Sequence, residues 1–89
     1  MTQSVESTLN ERGQRYGSFD RNIECVAHIV GAMINVYDDK HGEAPPLSLV
    51  AEWHYLAIKM ARIPADPNYT DNYHDLAGYA TLLEKKHGN

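Results

Sequence analysis

Two aspartates in the C-terminal third of the chain are the strongest candidates for chemistry. Asp71 and Asp75 lie four residues apart in a segment with helical periodicity, and this spacing places both side chains on one face of a helix. Mg²⁺ prefers oxygen ligands and often uses one or two protein carboxylates together with substrate phosphates. The pair therefore predicts a magnesium site, although two helix N-terminal acids stabilised by the helix dipole would show the same pattern.

Two cations precede this pair across a turn that contains Pro64 and Pro67. Lys59 and Arg62 stand in the last turn of the preceding predicted helix. Arginine binds phosphate through its planar fork and lysine binds it as a point charge, so both are expected to contact the phosphates of a ligand. Cations in the last turn of a helix also complement its negative end without any ligand, and the sequence leaves both interpretations open.

Glu52 and Tyr16 are further candidates for the same site. Glu52 shares a helix stripe with Lys59, so it is expected either to assist Asp75 in catalysis or to form a surface ion pair with that lysine. Tyr16 could stack on a base, although packing in the core is the commoner role of an aromatic side chain. The prediction is thus Glu52 and Asp75 as catalytic groups, with Asp71 and Asp75 as metal ligands.

Several classes of active site are excluded by the sequence. It contains no HExxH, no GxSxG, no P-loop and no dinucleotide-binding fingerprint. The single cysteine, Cys25, rules out an internal disulfide and a cysteine zinc cluster, and is expected to be a buried structural thiol.

Size and charge restrict the class of protein. A chain of 89 residues predicts one domain, residues 1–89, and a net charge of −4 with scattered cations disfavours binding to the nucleic-acid backbone. No apolar run approaches the roughly 18 residues of a membrane span, and the N-terminal residues lack the pattern of a signal peptide. We therefore expect a soluble protein of the cytoplasm that has no membrane partner.

Helical periodicity recurs along the chain and strand-like alternation is missing, so the predicted fold is all-α. Short connections between helices favour a small antiparallel four-helix bundle. The predicted helices cover about residues 4–14, 19–39, 46–63 and 70–86. Thr70 is the expected N-cap of the last helix, and Met60 and Tyr73 are expected among the core side chains of the third and fourth helices.

The second predicted helix carries a broad apolar face. This face is wider than the roughly 100° stripe of a helix that packs against one partner. It should therefore contact two helices or a second subunit, and a homo-oligomer is expected. Its members are Phe19, Ile23, Val26, Ile29, Val30, Met33, Ile34, Val36 and Tyr37.

Two segments together resemble a family of small phage and prophage proteins. Residues 11–19, ERGQRYGSF, are similar to the family's ERGxRYGxF opening. Residues 59–63, 66–69 and 71–80, which read KMARI, DPNY and DNYHDLAGYA, are similar to its KxARI, DPNY and DxxxDxAGYA signature. That family is sometimes described as a nucleotide-modification-associated domain, and its helical layout is similar to that of MazG-like nucleotide pyrophosphohydrolases.

The resemblance to MazG-like enzymes implies an all-α, usually oligomeric fold. It also implies that acids from two helices hold Mg²⁺ and that a nucleoside triphosphate is hydrolysed to monophosphate and pyrophosphate. This chain departs from the pattern because it has no ExxE pair, and its third predicted helix offers only Glu52. Metal binding would then rest on Asp71 and Asp75 with help from Glu52, which is a small set for two-metal hydrolysis.

Three functional interpretations follow from the sequence. The first is a phage accessory protein of the host cytoplasm that binds or hydrolyses a nucleotide with Mg²⁺. The second is a non-enzymatic phage protein that binds a host protein or sequesters a signalling nucleotide. The third needs no ligand and makes the charges a buried ion pair between Arg62 and Asp71 or Asp75.

Overall fold

A computed structural model of the chain describes residues 4–88. Within that range no residue is in a strand, which confirms the predicted all-α fold, and no helix has the length and apolar character needed to cross a membrane. The helix ends differ from the predicted ones by at most two residues. The four helices are α1 (Val5–Tyr16), α2 (Phe19–His41), α3 (Leu47–Arg62) and α4 (Thr70–His87).

Local side-chain and glycine chemistry sets the ends of the first two helices. The hydroxyl of Ser4 accepts a hydrogen bond from the backbone N–H of Ser7 at 3.0 Å, and Ser18 caps α2 in the same way. Gly42 follows α2 at φ 73°, a left-handed conformation that glycine adopts without steric cost. Thr70, predicted as the cap of α4, is instead its first residue, and Tyr69 occupies the cap position without a side-chain hydrogen bond.

The central helix is α3, which packs against α2 on one side and α4 on the other. The rings of Tyr37 in α2 and Trp53 near the start of α3 lie 6.1 Å apart, so α2 and α3 are antiparallel. At the other end of α3, the side chain of Asn72 in the first turn of α4 reaches the carbonyl of Arg62. The start of α2, the end of α3 and the start of α4 therefore meet at one end of the bundle.

The core is small. Val30, Ala57 and Ala61 are the apolar side chains that the described range buries most completely, besides Pro45. On α3 the alanines are more buried than Met60, which was predicted in the core and is 41% exposed, because α3 has neighbours on two sides. On α4, Tyr73 was also predicted in the core and is 47% exposed.

The molecule is more elongated than a compact bundle of this length. Its radius of gyration is 15.4 Å, whereas about 12 Å is typical for a compact domain of this size. Its long axis of 50 Å exceeds the roughly 35 Å length of α2, its longest helix. Since α1 touches α2 only lightly and contains no buried residue, the added length comes from a helix at the periphery.

Candidate functional site

The end of α1 meets the loop between α3 and α4 through two contacts between arginine and tyrosine. The guanidinium carbon of Arg62 lies 5.0 Å from the centre of the Tyr16 ring. The guanidinium carbon of Arg15 lies 4.1 Å from the centre of the Tyr69 ring. Both distances are within the roughly 6 Å of a cation–π interaction. We call these four residues, Arg15, Tyr16, Arg62 and Tyr69, the arginine–tyrosine cluster.

The turn between α1 and α2 holds the first half of this cluster. Gly17 adopts φ 78° and its N–H donates to the carbonyl of Gly13, which closes α1 directly after Tyr16. The side-chain amide of Asn22, in the first turns of α2, donates to the carbonyl of Tyr16 at 2.8 Å. The backbone position of Tyr16 is thus fixed from both sides of the turn.

The loop between α3 and α4 holds the second half. The N–H of Asp66 donates to the carbonyl of Ile63, and the N–H of Tyr69 donates to the carbonyl of Asp66, so two successive turns connect the helices. Asn72 is only 3% exposed, and its amide donates to the carbonyl of Arg62 at 3.4 Å. A buried amide with a backbone partner fixes the first turn of α4 against the last turn of α3.

The two arginines of the cluster are not neutralised by carboxylates. Within residues 4–88 the ion pairs are Arg21 with Glu24 and the two formed by Glu52, and neither Arg15 nor Arg62 takes part. A guanidinium that stacks on a ring uses its face, while its five N–H donors lie in its plane and remain able to bind an anion. The interpretation of the charges as an ion pair between Arg62 and an aspartate is therefore wrong.

Asp71 and Asp75 lie one turn apart on the exposed surface of α4, beside the cluster. The Tyr69 hydroxyl donates to Asp71 Oδ2 at 3.0 Å. This hydrogen bond raises the pKa of Tyr69 because it favours the protonated phenol, although the positive charge of Arg15 partly opposes the effect. Asp71 keeps further lone pairs for a metal ion or a donor.

The described residues contain no group of three or more His, Cys, Asp or Glu side chains placed to hold a metal ion. The two predicted metal ligands, Asp71 and Asp75, lie one turn apart on α4. Two carboxylates fit Mg²⁺ when the remaining ligands are waters and substrate phosphates. They do not form a complete protein cage for a metal.

Lys59 and Arg12 extend the positive charge on either side of the cluster. Lys59 is half-buried one turn before Arg62 on α3. Arg12 lies one turn before Arg15 on α1, and both arginines line an open cleft of about 310 Å³ along that helix. A ligand with more than one anionic group could therefore contact cations from both helices.

Glu52 lies far from the aspartates. Its side chain is 10% exposed, and its two oxygens accept hydrogen bonds from Lys86 Nζ and from His87 Nε2, the latter at 2.6 Å. Lys86 is 11 residues after Asp75 on the same helix, a separation of about 16 Å along the axis. The structure thus pairs Glu52 with the last turn of α4, and brings it neither to Asp75 nor into the predicted ion pair with Lys59.

The environment of Glu52 stabilises its charged form. Hydrogen bonds from His87 and Lys86 lower the pKa of the Glu52 carboxyl and outweigh burial, which acts in the opposite direction. This glutamate therefore joins α3 to the C-terminal turn of α4 as an ionised group.

Sequence reasoning missed Arg15, Tyr69 and Asn72 as members of the site. Arg15 and Tyr69 are 54 residues apart, and no local pattern predicts that they meet. The available signal was that Arg15 lies in the ERGQRYGSF segment and Tyr69 in the DPNY segment. Asn72 lies directly beside Asp71, where helical periodicity gives no reason to expect a buried polar side chain.

Comparison with known proteins places the chain in a family. The model of the family DUF6378, described as a domain of unknown function, matches residues 1–87, so the chain belongs to that family. No curated protein and no solved structure matches it. The family description names neither a phage origin nor a likeness to MazG, and both stay predictions from the sequence motifs.

Proposed function

We propose that this member of the DUF6378 family binds a nucleotide or a similar small phosphorylated ligand where α1 meets the turn between α3 and α4. The observation that carries the proposal is the arginine–tyrosine cluster, in which two guanidinium groups without carboxylate partners stack on tyrosine rings beside Asp71 and Asp75. Neither guanidinium forms an ion pair within residues 4–88, so its N–H donors are left for an anionic ligand.

Phosphate recognition falls to the arginines in this proposal. Stacking on Tyr69 and Tyr16 restricts the orientations of Arg15 and Arg62, so less side-chain entropy is lost when they bind a phosphate. Lys59 adds a third positive charge on the α3 side. The protein's net charge of −4 opposes long polyanions, whereas a single nucleotide needs only these local cations.

Base recognition is proposed for Tyr16. Its side chain is half-buried, so part of the ring is accessible for stacking while Arg62 covers another part. Stacking of a base on an aromatic side chain tolerates different bases. Tyr16 would therefore contribute affinity, and the choice of base would depend on other groups.

Asp71 and Asp75 are the residues that would hold Mg²⁺ together with the phosphates of the ligand. Bound Mg²⁺ would supply charge neutralisation of the phosphates and polarise the phosphoryl group. The side chain of Asp75 makes no hydrogen bond or ion pair within residues 4–88 and the residue is exposed, which suits a carboxylate that acts on a ligand or on water.

Binding is better supported than hydrolysis. The resemblance to MazG-like enzymes suggests that a triphosphate is cleaved to monophosphate and pyrophosphate, with Asp75 and Glu52 as catalytic groups. However, both oxygens of Glu52 are used by Lys86 and His87 at the opposite end of α4. Any turnover would have to rely on Asp75 and Asp71 alone.

A non-enzymatic role is the second candidate function. An exposed apolar surface that includes Phe19 and Leu9 favours a protein that acts by association with another chain, and a nucleotide-binding corner without a third acid favours sequestration over turnover. In this version a phage-encoded protein in the host cytoplasm binds a host protein or removes a signalling nucleotide.

Calorimetric titration with Mg²⁺ and nucleoside triphosphates, followed by analysis of the products, tests the proposal. Binding with release of pyrophosphate indicates the hydrolase, and binding without products indicates the sequestering protein. The absence of heat with every nucleotide at millimolar concentration would remove hydrolysis and nucleotide sequestration, and would leave association with a host protein as the remaining candidate.

A further inference from the structure

The chain exposes more surface than a compact protein of its mass. Its accessible surface is 6854 Å² at a mass of 10.0 kDa, whereas a folded monomer of that mass exposes about 5,200 Å². The excess is about 1,600 Å². A standard stable interface buries about 800 Å² on each partner, and obligate dimers bury more. The excess is thus large enough for an interface between subunits.

Two exposed apolar side chains lie on α1 and two more lie on the first turns of α2. Val5 and Leu9, four residues apart on α1, are 77% and 63% exposed. Phe19 and Ile23, four residues apart on α2, are 76% and 50% exposed. A spacing of four places each pair on one helix face, and we call these four residues the α1–α2 apolar surface.

The apolar side chains of α1 are not buried by the rest of this chain. This helix has 12 residues, none of them buried, and an isolated helix of that length is marginal in water. Arg15 and Tyr16 in its last turn make contacts with α2, α3 and the loop that follows α3. The earlier turns, with Val5 and Leu9, present their apolar side chains to solvent.

We propose that a second copy of this chain covers the α1–α2 apolar surface and forms a two-fold symmetric dimer. In such a dimer the same patch lies on both sides of the interface, so an apolar patch meets an apolar patch. A membrane is a poorer occupant because α1 carries Glu6 and Glu11 beside its arginines, whereas helices that lie on membranes have a strongly basic polar face.

The dimer has a consequence for the ligand site, which rests on the function proposed above. The helix that the second copy covers is the one that supplies Arg15 and Tyr16 to the arginine–tyrosine cluster. Fixing α1 from its apolar side therefore also fixes half of the cluster. Ligand binding and dimerisation should then favour each other.

Light scattering coupled to size exclusion tests the dimer on the full chain without any ligand. The mass expected at 100 µM protein is twice 10.0 kDa. Leu9→Glu should reduce it to one chain mass. Leu82→Glu is the matched control, because Leu82 is also a leucine that is 63% exposed but lies on α4, and it should keep the dimer.

Two results would overturn the proposal: a wild-type mass of one chain at 100 µM, or a folded Leu9→Glu variant that keeps the dimer mass. Circular dichroism establishes that the variant is folded, and Val5→Glu serves if it is not. Hydrogen exchange across residues 5–16 gives an independent readout, since protection should rise with protein concentration in the wild type. Failure of nucleotide binding would leave these masses unchanged, so the two proposals fail separately.

Discussion

The guanidinium group of Arg62 stacks over the ring of Tyr16, at 5.0 Å from its centre, although the two residues are 46 positions apart in the chain. This contact joins the end of α3 to the end of α1. Arg15, the neighbour of Tyr16, makes the reciprocal contact with Tyr69 in the loop that follows Arg62. Two adjacent residues of α1 thus contact the end of α3 and the loop between α3 and α4. The proposed ligand site lies where these elements meet.

Removal of either stacked arginine charge should weaken nucleotide binding. Arg15→Gln and Arg62→Gln each delete a charge-assisted hydrogen-bond donor, which contributes about 1.5–3 kcal/mol, so the Kd should rise at least about tenfold. Titration calorimetry with a nucleoside triphosphate and Mg²⁺ measures the change. Arg62→Lys should recover only part of the affinity, because lysine lacks the planar fork.

Arg21→Gln is the matched control for both arginine variants. Arg21 pairs with Glu24 at 3.2 Å and its side chain is 82% exposed, so its loss should change the Kd by less than about twofold. If Arg21→Gln weakened binding as much as Arg62→Gln, the effect would reflect the overall charge of the protein. The arginine–tyrosine cluster could then no longer be assigned as the binding site.

Asp75→Asn should remove the magnesium dependence of nucleotide binding while the fold is kept. Asp75 is exposed, and substitutions at such sites usually change the free energy of unfolding by less than about 0.5 kcal/mol. If the wild type hydrolyses the nucleotide, this variant should also lose turnover. The magnesium dependence is measured as the Kd with and without Mg²⁺ for this variant. Asp39→Asn, at the far end of α2, is the control. Equal magnesium dependence in wild type and Asp75→Asn would contradict the metal role.

The sequence predicts the helices well because their ends depend on local chemistry. Ser18 and Gly42 bound α2 through interactions within a few residues, and such signals can be read along the chain. The pair Asp71 and Asp75 was found by its helical spacing for the same reason. Arg62 was predicted to bind a ligand, but its stacking on Tyr16 could not be predicted, since it depends on how α1 leaves Gly17 and on the course of the loop before Tyr69.

The position of Glu52 shows that spacing along one helix does not by itself predict which residues form an ion pair. Its spacing from Lys59 on one helix face is consistent with an ion pair, but the antiparallel packing of α4 brings Lys86 and His87 to it instead. Helical periodicity specifies which side chains share a face, whereas the neighbouring helix and its register decide which partner they meet.

Acid should destabilise the protein partly through Glu52. Hydrogen bonds from His87 and Lys86 lower the pKa of this carboxyl in the folded state, so the folded state binds its proton less readily than the unfolded chain does. The stability that the interactions of Glu52 with His87 and Lys86 contribute is therefore present above the unfolded pKa of about 4.3. It is lost as the pH falls through the lowered pKa of the folded state. Thermal melting from pH 7 to pH 3 measures this loss.

Glu52→Gln is the variant that isolates this effect. It should be less stable than the wild type at pH 7, and the difference in melting temperature should shrink as the pH falls toward 3, because protonation of the wild-type carboxyl removes the charge that the variant lacks. Glu43→Gln, in the exposed connection before α3, is the control. A constant difference between wild type and Glu52→Gln across this range would contradict the assignment of an ionised glutamate.

Asn72 should be a major contributor to the stability of the corner. Its side chain is 3% exposed and donates to the carbonyl of Arg62. Asn72→Ala removes that hydrogen bond and the packing of a buried side chain, and the loss of a hydrogen bond alone costs about 0.5–1.5 kcal/mol. Chemical denaturation of this variant and of Asn35→Ala, an exposed position on α2, gives the comparison. Equal free energies of unfolding for the two variants would show that the hydrogen bond contributes no stability.

A thermal-shift screen against nucleoside mono-, di- and triphosphates and cyclic nucleotides, each with and without Mg²⁺, tests the central claim most directly. A ligand at 100 times its Kd adds about 2.7 kcal/mol of stability, which corresponds to roughly 10–20 °C in a domain this small. The proposed site predicts such a shift with at least one nucleotide, and its loss in Arg62→Gln. No shift with any nucleotide at millimolar concentration would contradict nucleotide binding at this corner.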